Sequence, residues 1–226
     1  NELSKQIPKN ARSKQKWKYL KKLNHVMFYE NPLIPTIKYN ISNLKITRLG
    51  FLKPRLPYKD TLDPKLIKWF NNCKTKKLSV IFITFGSYIS KAISDNPNLL
   101  NDINSVCKEN KCKALFQDNF SNCKFAKNFK GRHILFWKKF IPYPAVVKKS
   151  NLIIFSGSVC LQNVCWLYAR PMLFLPIHAE QFLWAKIYKN YTGIEYIRAN
   201  NKSCISLIIK NALKVDKKKL KIMKEK

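Results

Sequence analysis

Acidic side chains are scarce in this chain: 12 Asp and Glu stand against 44 Lys and Arg, a formal net charge of +32. An AT-rich gene would explain many lysines, but it would supply Asp and Glu as well, so the surplus has physical consequences. A field of this size favours RNA, DNA, anionic lipid or an acidic partner and carries no sequence information itself. A merely solvated surface is the competing reading. Long apolar runs are missing too, since no window holds about 18 uninterrupted apolar residues, the length a membrane-crossing helix needs. No signal-peptide pattern opens the chain, which starts at Asn1 and reads as a fragment or a processed form. Its seven cysteines lack CxxC spacing, which removes a zinc ribbon. Cys107, Cys112, Cys123 and His133 are too irregularly spaced for a metal site. The cysteines read instead as small buried hydrophobes in a reducing intracellular compartment. GxGxxG, Walker, HExxH and GxSxG motifs are all absent.

What is present is enough for a core. Hydrophobic residues make up 46%, with 14 Phe, 10 Tyr and 5 Trp, which excludes wholesale disorder. Residues 1–49 read as a basic arm and a Pro-containing linker, 50–200 as an α/β domain, and 201–226 as a C-terminal helix and basic tail. "LDPKLIKWFNN" predicts a helix with Asp63 as N-cap and Pro64 at its first position. Buried strands are predicted in "LSVIFITFG" (78–86), "CKALFQD", "RHILFWK", "NLIIFSG" (151–157) and "PMLFLP". Helical periodicity falls between them, in 96–110, "SVCLQNVCWLYA" and "AEQFLWAKIYKNY"; "GIEYI" and "CISLIIKNALK" close the series. Strands alternating with helices imply parallel pairing through right-handed crossovers, hence a Rossmann-like three-layer α/β domain with a mostly parallel sheet.

In such sheets ligands sit beyond the carboxyl ends of the strands, and three strand ends carry suitable groups. Gly86 and Ser87 follow the first strand. Glycine lets backbone amides approach an anion and the serine hydroxyl can donate to a phosphate oxygen, although a tight turn also wants glycine. Ser156, Gly157 and Ser158 open a helix in the same way. His178, Ala179, Glu180 and Gln181 follow "PMLFLP", where Glu180 can simply complement the helix dipole and Gln181 can simply cap.

Taken in order, these stretches resemble the C-terminal, donor-binding half of the UDP-glycosyltransferases, a GT-B family, over about residues 50–215. "GFL" at Gly50–Leu52, "VIFITFGS", "FIPYPAVV", "IIFSGSVCLQNV" and "LPIHAEQ" follow the family's order of motifs. The resemblance implies a UDP-sugar donor as substrate, no separate cofactor, and transfer of a hexose or hexuronic acid to an acceptor hydroxyl. It places Gly86 and Ser87 near the diphosphate. Phe140, with Pro142 and Tyr143, falls at the uracil-stacking turn, where Phe140 replaces Trp and Tyr143 replaces Gln. Ser156, Gly157 and Ser158 stand at the family's HGG, and Glu180-Gln181 at the acidic–Gln pair that holds sugar hydroxyls.

The departures go to function. Leu161 and Val164 replace a phosphate-binding serine and a ribose-binding glutamate, so two hydrogen bonds to the nucleotide are missing, each about 1.5–3 kcal/mol when charge-assisted. Arg170 or Lys148 is a candidate to hold the diphosphate instead. No catalytic residue is assigned: the family's histidine base belongs to its N-terminal half, and His178 reads as a loop or packing histidine. Two expectations stand. One is a donor-binding enzyme half whose acceptor domain or partner chain is missing, docked on an anionic membrane. The other is a degenerate, pseudoenzyme domain that binds RNA or another polyanion through its charge.

Overall fold

The computed structural model describes residues 61–118, 129–198, 205–215 and 220, and the backbone of two short strands, β1 (His25–Phe28) and β2 (Lys45–Arg48). The basic arm at 1–24, Gly50–Leu52, Cys123, Cys204 and most of the basic tail lie outside the described residues. Compactness divides the chain into Asn1–Pro54 and Arg55–Lys226. In the first unit β1 and β2 pair in parallel, His25 opposite Lys45. Strand β2 falls in residues 31–64, whose prolines had suggested an extended linker, and β1 lies just before that stretch.

The second unit begins with α1 (Pro64–Thr75). Its start is the expected one, with Asp63 accepting from Lys65 N at 2.9 Å and Pro64 in the first turn, where no N–H is needed. Strand β3 (Ser79–Thr84) follows and is buried along almost its whole length. Next come a 3-10 turn at Gly86–Tyr88, α2 (Ile89–Asp95), α3 (Leu99–Glu109) and β4 (Cys112–Gln117). Strand β5 (Ile134–Trp137), α4 (Tyr143–Lys149), β6 (Leu152–Phe155), α5 (Val159–Leu167), β7 (Met172–Phe174), α6 (Ala179–Thr192) and α7 (Ile205–Leu213) complete the order. The "GIEYI" stretch is no strand. Gly193 takes the left-handed conformation that ends α6 (φ 74°), and Ile197 N then donates once to Phe174 O at 2.8 Å.

The sheet order is β5-β4-β3-β6-β7, with every pair parallel. The Rossmann-like α/β expectation therefore holds, with helices flanking the sheet. The chain runs outward from β3 to β5 and then returns to the other side of β3. Connections leaving β3 and β6 thus diverge, and a crevice opens between them at the carboxyl end of the sheet. Burial fixes this frame. Phe82, Ile83, Leu115, Ile153 and Leu173 are inaccessible or nearly so. An aromatic chain ties α6 to β7: Phe155–Phe174 centroids lie 4.8 Å apart, Phe174–Tyr188 5.4 Å and Trp166–Tyr188 5.5 Å. The buried Tyr188 phenol accepts from Met172 N at 2.9 Å, so the helix is held by a polar bond as well as by area.

Candidate functional site

A cleft of about 290 Å³ lies at the crevice between β3 and β6. Residues after β3 form one wall: Thr84 ends the strand, and Gly86, Ser87 and Tyr88 make the turn beyond it. Gly86 adopts φ 56°, and a β-carbon there would meet nothing within 4 Å, so the backbone conformation is what asks for glycine. Ser156, Ser158 and Leu161, after β6, form a second wall, with Tyr143 from α4 and Gln181 from α6 completing it. Among the described residues no lysine, arginine or carboxylate lines this cleft, in a chain of net charge +32. What it offers is hydroxyls, two phenols, an amide and the backbone at the start of α5.

Gly157 is held in place from two sides. Its φ is 115°, and a β-carbon would come within 3.1 Å of Gln181 Cβ and 3.2 Å of Gln181 Cγ. Its carbonyl accepts from the buried Gln162 Nε2 at 2.8 Å. The loop after β6 and the first turn of α6 are therefore packed backbone to side chain. Gln181 is itself committed: Oε1 accepts from Ile177 N at 2.8 Å and His178 N at 3.2 Å, closing the chain reversal that starts α6. His178 is the N-cap and stacks edge to face on Tyr88. It is solvent-exposed, touches the Tyr88 ring and does not line the cleft, in keeping with a loop or packing histidine.

Of the residues named from sequence, Gly86, Ser87, Tyr143, Ser156, Ser158 and Gln181 are brought together around the cleft. Glu180 is not among its lining: it is exposed, and Trp184 Nε1 donates to it at 3.4 Å. Phe140 lies on the β5–α4 connection, 62% exposed, and Pro142 caps α4 beside Tyr143. Burial pushes the Tyr143 phenol above the ordinary tyrosine range. The nearby Thr84 hydroxyl opposes that shift but does not meet the geometry of a hydrogen bond. Leu161 is on the cleft wall and Val164 is in the core, so neither position presents a hydrogen-bonding group.

Arg170 and Lys148 do not reach this cleft. Both precede strands, at the opposite, amino end of the parallel sheet, where the Arg170 guanidinium donates to the Lys148 carbonyl. Neither can serve as a substitute diphosphate ligand, because parallel strands put the residues before β6 and β7 a full strand length from the residues after them.

The sequence reading missed a row of polar atoms at the carboxyl end. Thr84, Gln117 and Trp137 sit side by side in register on β3, β4 and β5. Thr84 Oγ1, Gln117 Oε1, Trp137 Nε1 and the following Asp118 Oδ1 are buried without a hydrogen-bond partner. Burial raises the Asp118 pKa. Each such group costs about 1–3 kcal/mol unless something satisfies it. The available signal was a polar residue ending the apolar runs of β3 and β4, Thr84 and Gln117, with Asp118 directly after.

No protein-family model matches the chain, and no curated protein sequence matches it. Solved structures do. The spinosyn forosaminyltransferase SpnP is 11% identical, with a TM-score of 0.65 over 89% of this chain and 50% of its own. A UDP-glucosyltransferase from Polygonum tinctorium is 15% identical, with a TM-score of 0.63 over 97% of this chain and 54% of its own. The glycosyltransferase SnogD from Streptomyces nogalater is 14% identical, with a TM-score of 0.59 over 80% and 52%. The fold is Rossmann-like, of the GT-B glycosyltransferase kind. This chain spans about half the length of those GT-B structures.

Proposed function

We propose that this chain is the nucleotide-sugar-binding half of a glycosyltransferase, with the acceptor-binding half supplied by a further segment or a partner chain. The observation that carries the reading is convergence. Three stretches separated by up to about a hundred residues, at Gly86–Tyr88, Ser156–Ser158 and Gln181, border one neutral cleft at the switch point of the sheet. Their hydroxyls and turn amides suit a diphosphate, with Tyr143 as an aromatic wall. Among the similar structures are a UDP-glucosyltransferase and VinC, solved in complex with dTDP, so both uridine and thymidine diphosphates are the ligands to try. A UDP-sugar is the favoured donor, with transfer of its hexose or hexuronic acid to an acceptor hydroxyl.

The test is calorimetric titration of the folded chain with UDP, dTDP and their sugars. Saturable heat that Ser87→Ala and Ser156→Ala each weaken by about 0.5–1.5 kcal/mol supports the reading. Absence of heat at millimolar ligand overturns it.

One observation favours a second reading. Leu161 and Val164 bury apolar groups where a donor site needs hydrogen bonds. A domain that kept the fold, lost the donor site and uses its charge on a polyanion such as RNA would give no nucleotide heat and strongly salt-dependent RNA binding.

A further inference from the structure

Among the described residues of the second unit, charge is sorted between the two ends of the sheet. Lys74, Lys76 and Lys77 lie at the α1–β3 turn, and Lys108, Lys111 and Lys113 around the α3–β4 turn. Lys130 and Arg132 precede β5, Lys148 and Lys149 precede β6, and Arg170 precedes β7. These approaches to the five strands carry eleven cations and one carboxylate, Glu109, which is ion-paired with Lys210 at 2.6 Å. At the carboxyl end, the described residues leaving the same strands carry Lys138 and Lys139 against Asp118 and Glu180, a balance of zero. Parallel pairing makes this possible, because it gathers the start of every strand on one face of the domain.

Six helices end toward the basic face: α1, α3, α4 and α5 lead into strands, α6 returns to the start of β7 where Tyr188 meets Met172 N, and α7 runs beside α3. Lysine at a helix C-terminus complements the dipole, and the six partial charges sum to about −3, at roughly −0.5 each. That accounts for the smaller part of a net of ten. The face is also wide, since five strands at about 4.8 Å spacing span about 19 Å before the helices are added.

We infer that this amino-end face is a docking surface for the anionic headgroups of a lipid bilayer. Its composition selects that partner over single-stranded RNA. Nine of the eleven cations are lysines, point charges that attract a delocalised anionic surface without forked, directional contacts. Among the described residues no large hydrophobic side chain is fully exposed in these turns, and the two half-buried aromatics there are already engaged, Phe129 against Phe136 and Tyr168 under Lys148, so neither offers an open face for a base to stack on. Docked this way, the domain holds its cleft at the far end, about 20 Å away by the length of a six-residue strand, open to a soluble ligand.

The test is co-sedimentation of the full chain with vesicles of phosphatidylcholine alone and of phosphatidylcholine mixed with phosphatidylserine. Binding is expected only to the mixed vesicles and is expected to weaken as salt rises. Lys74→Gln, Lys76→Gln and Lys149→Gln together should lower the partition coefficient about a hundredfold, at roughly fivefold per lysine. Lys68→Gln, Lys138→Gln and Lys186→Gln remove the same charge elsewhere and should change it far less. Unfolding curves confirm that both triple variants are folded. Equal loss in both, no loss in the first, or displacement from vesicles by stoichiometric RNA overturns the proposal.

Discussion

Tyr88 and His178 meet edge to face, ring centroids 4.6 Å apart and planes at 75°. One belongs to the turn after β3 and the other caps α6, so the pair joins two connections about ninety residues apart beside the cleft. An aromatic pair contributes about 0.5–1.5 kcal/mol beyond burial, and Tyr88 is 38% exposed, which favours the lower end. A double-mutant cycle with Tyr88→Leu and His178→Ala, read by urea unfolding, should give a coupling of about 0.5 kcal/mol. A coupling of zero would mean that the rings touch without joining the loops.

The two cleft glycines should respond differently to a methyl group. Gly86→Ala meets open space and pays only for a left-handed backbone, about 1–2 kcal/mol. Gly157→Ala adds a collision at 3.1 Å with Gln181 to a φ of 115°, and should destabilise by about 3 kcal/mol or more. Thermal or urea unfolding of the two variants ranks them; a reversed order contradicts the packing of α6 on the β6 loop.

Glu180 and Gln181 are neighbours with separate tasks. Gln181→Ala removes the acceptor for two backbone amides and should cost about 1 kcal/mol of stability with no ligand present. Glu180→Ala, on an exposed side chain, should stay within about 0.5 kcal/mol of the parent. If Glu180 proves the costlier loss in unfolding experiments, the assignment of Gln181 as the structural member of the pair is wrong.

Alkaline pH should unfold the protein through its thiols. Burial pushes Cys107 up to about 12 and Cys112 to about 11 from an ordinary 9.0, with Cys112 adding to the rise at Cys107. Above pH 9 the unfolded chain releases these protons while the native state keeps them. The native state then binds more protons, so stability falls as pH rises, and Cys112 stops contributing near pH 11. The slope approaches about 1.4 kcal/mol per pH unit for each thiol. Urea midpoints at about pH 8, 9 and 10 should trace it, and Cys107→Ala should flatten the curve.

Much of the element order was readable locally. Asp63-Pro64 announced a helix, the apolar runs from Val80, Ala114, Leu152 and Met172 announced strands, and Gly86 and Gly157 marked the places where the chain leaves two of them. These signals depend on neighbours within a few residues, where steric preference and burial pattern act directly. The same locality explains the failures. "GIEYI" has the composition of a strand, yet among the described residues it follows the cap at Gly193 as irregular chain and meets the edge strand β7 through the bond from Ile197 N to Phe174 O. Arg170 looked like a substitute phosphate ligand because sequence spacing does not say which end of a strand a side chain occupies.

By itself, then, the sequence determined an alternating α/β chain with a large positive charge, since periodicity and composition are properties of the linear order. Tertiary structure decided three further things: that β6 lies beside β3, that Tyr88 touches His178, and that eleven cations share the end of the sheet away from the cleft. Each follows from parallel pairing in the order β5-β4-β3-β6-β7, a choice made by long-range burial of the strands.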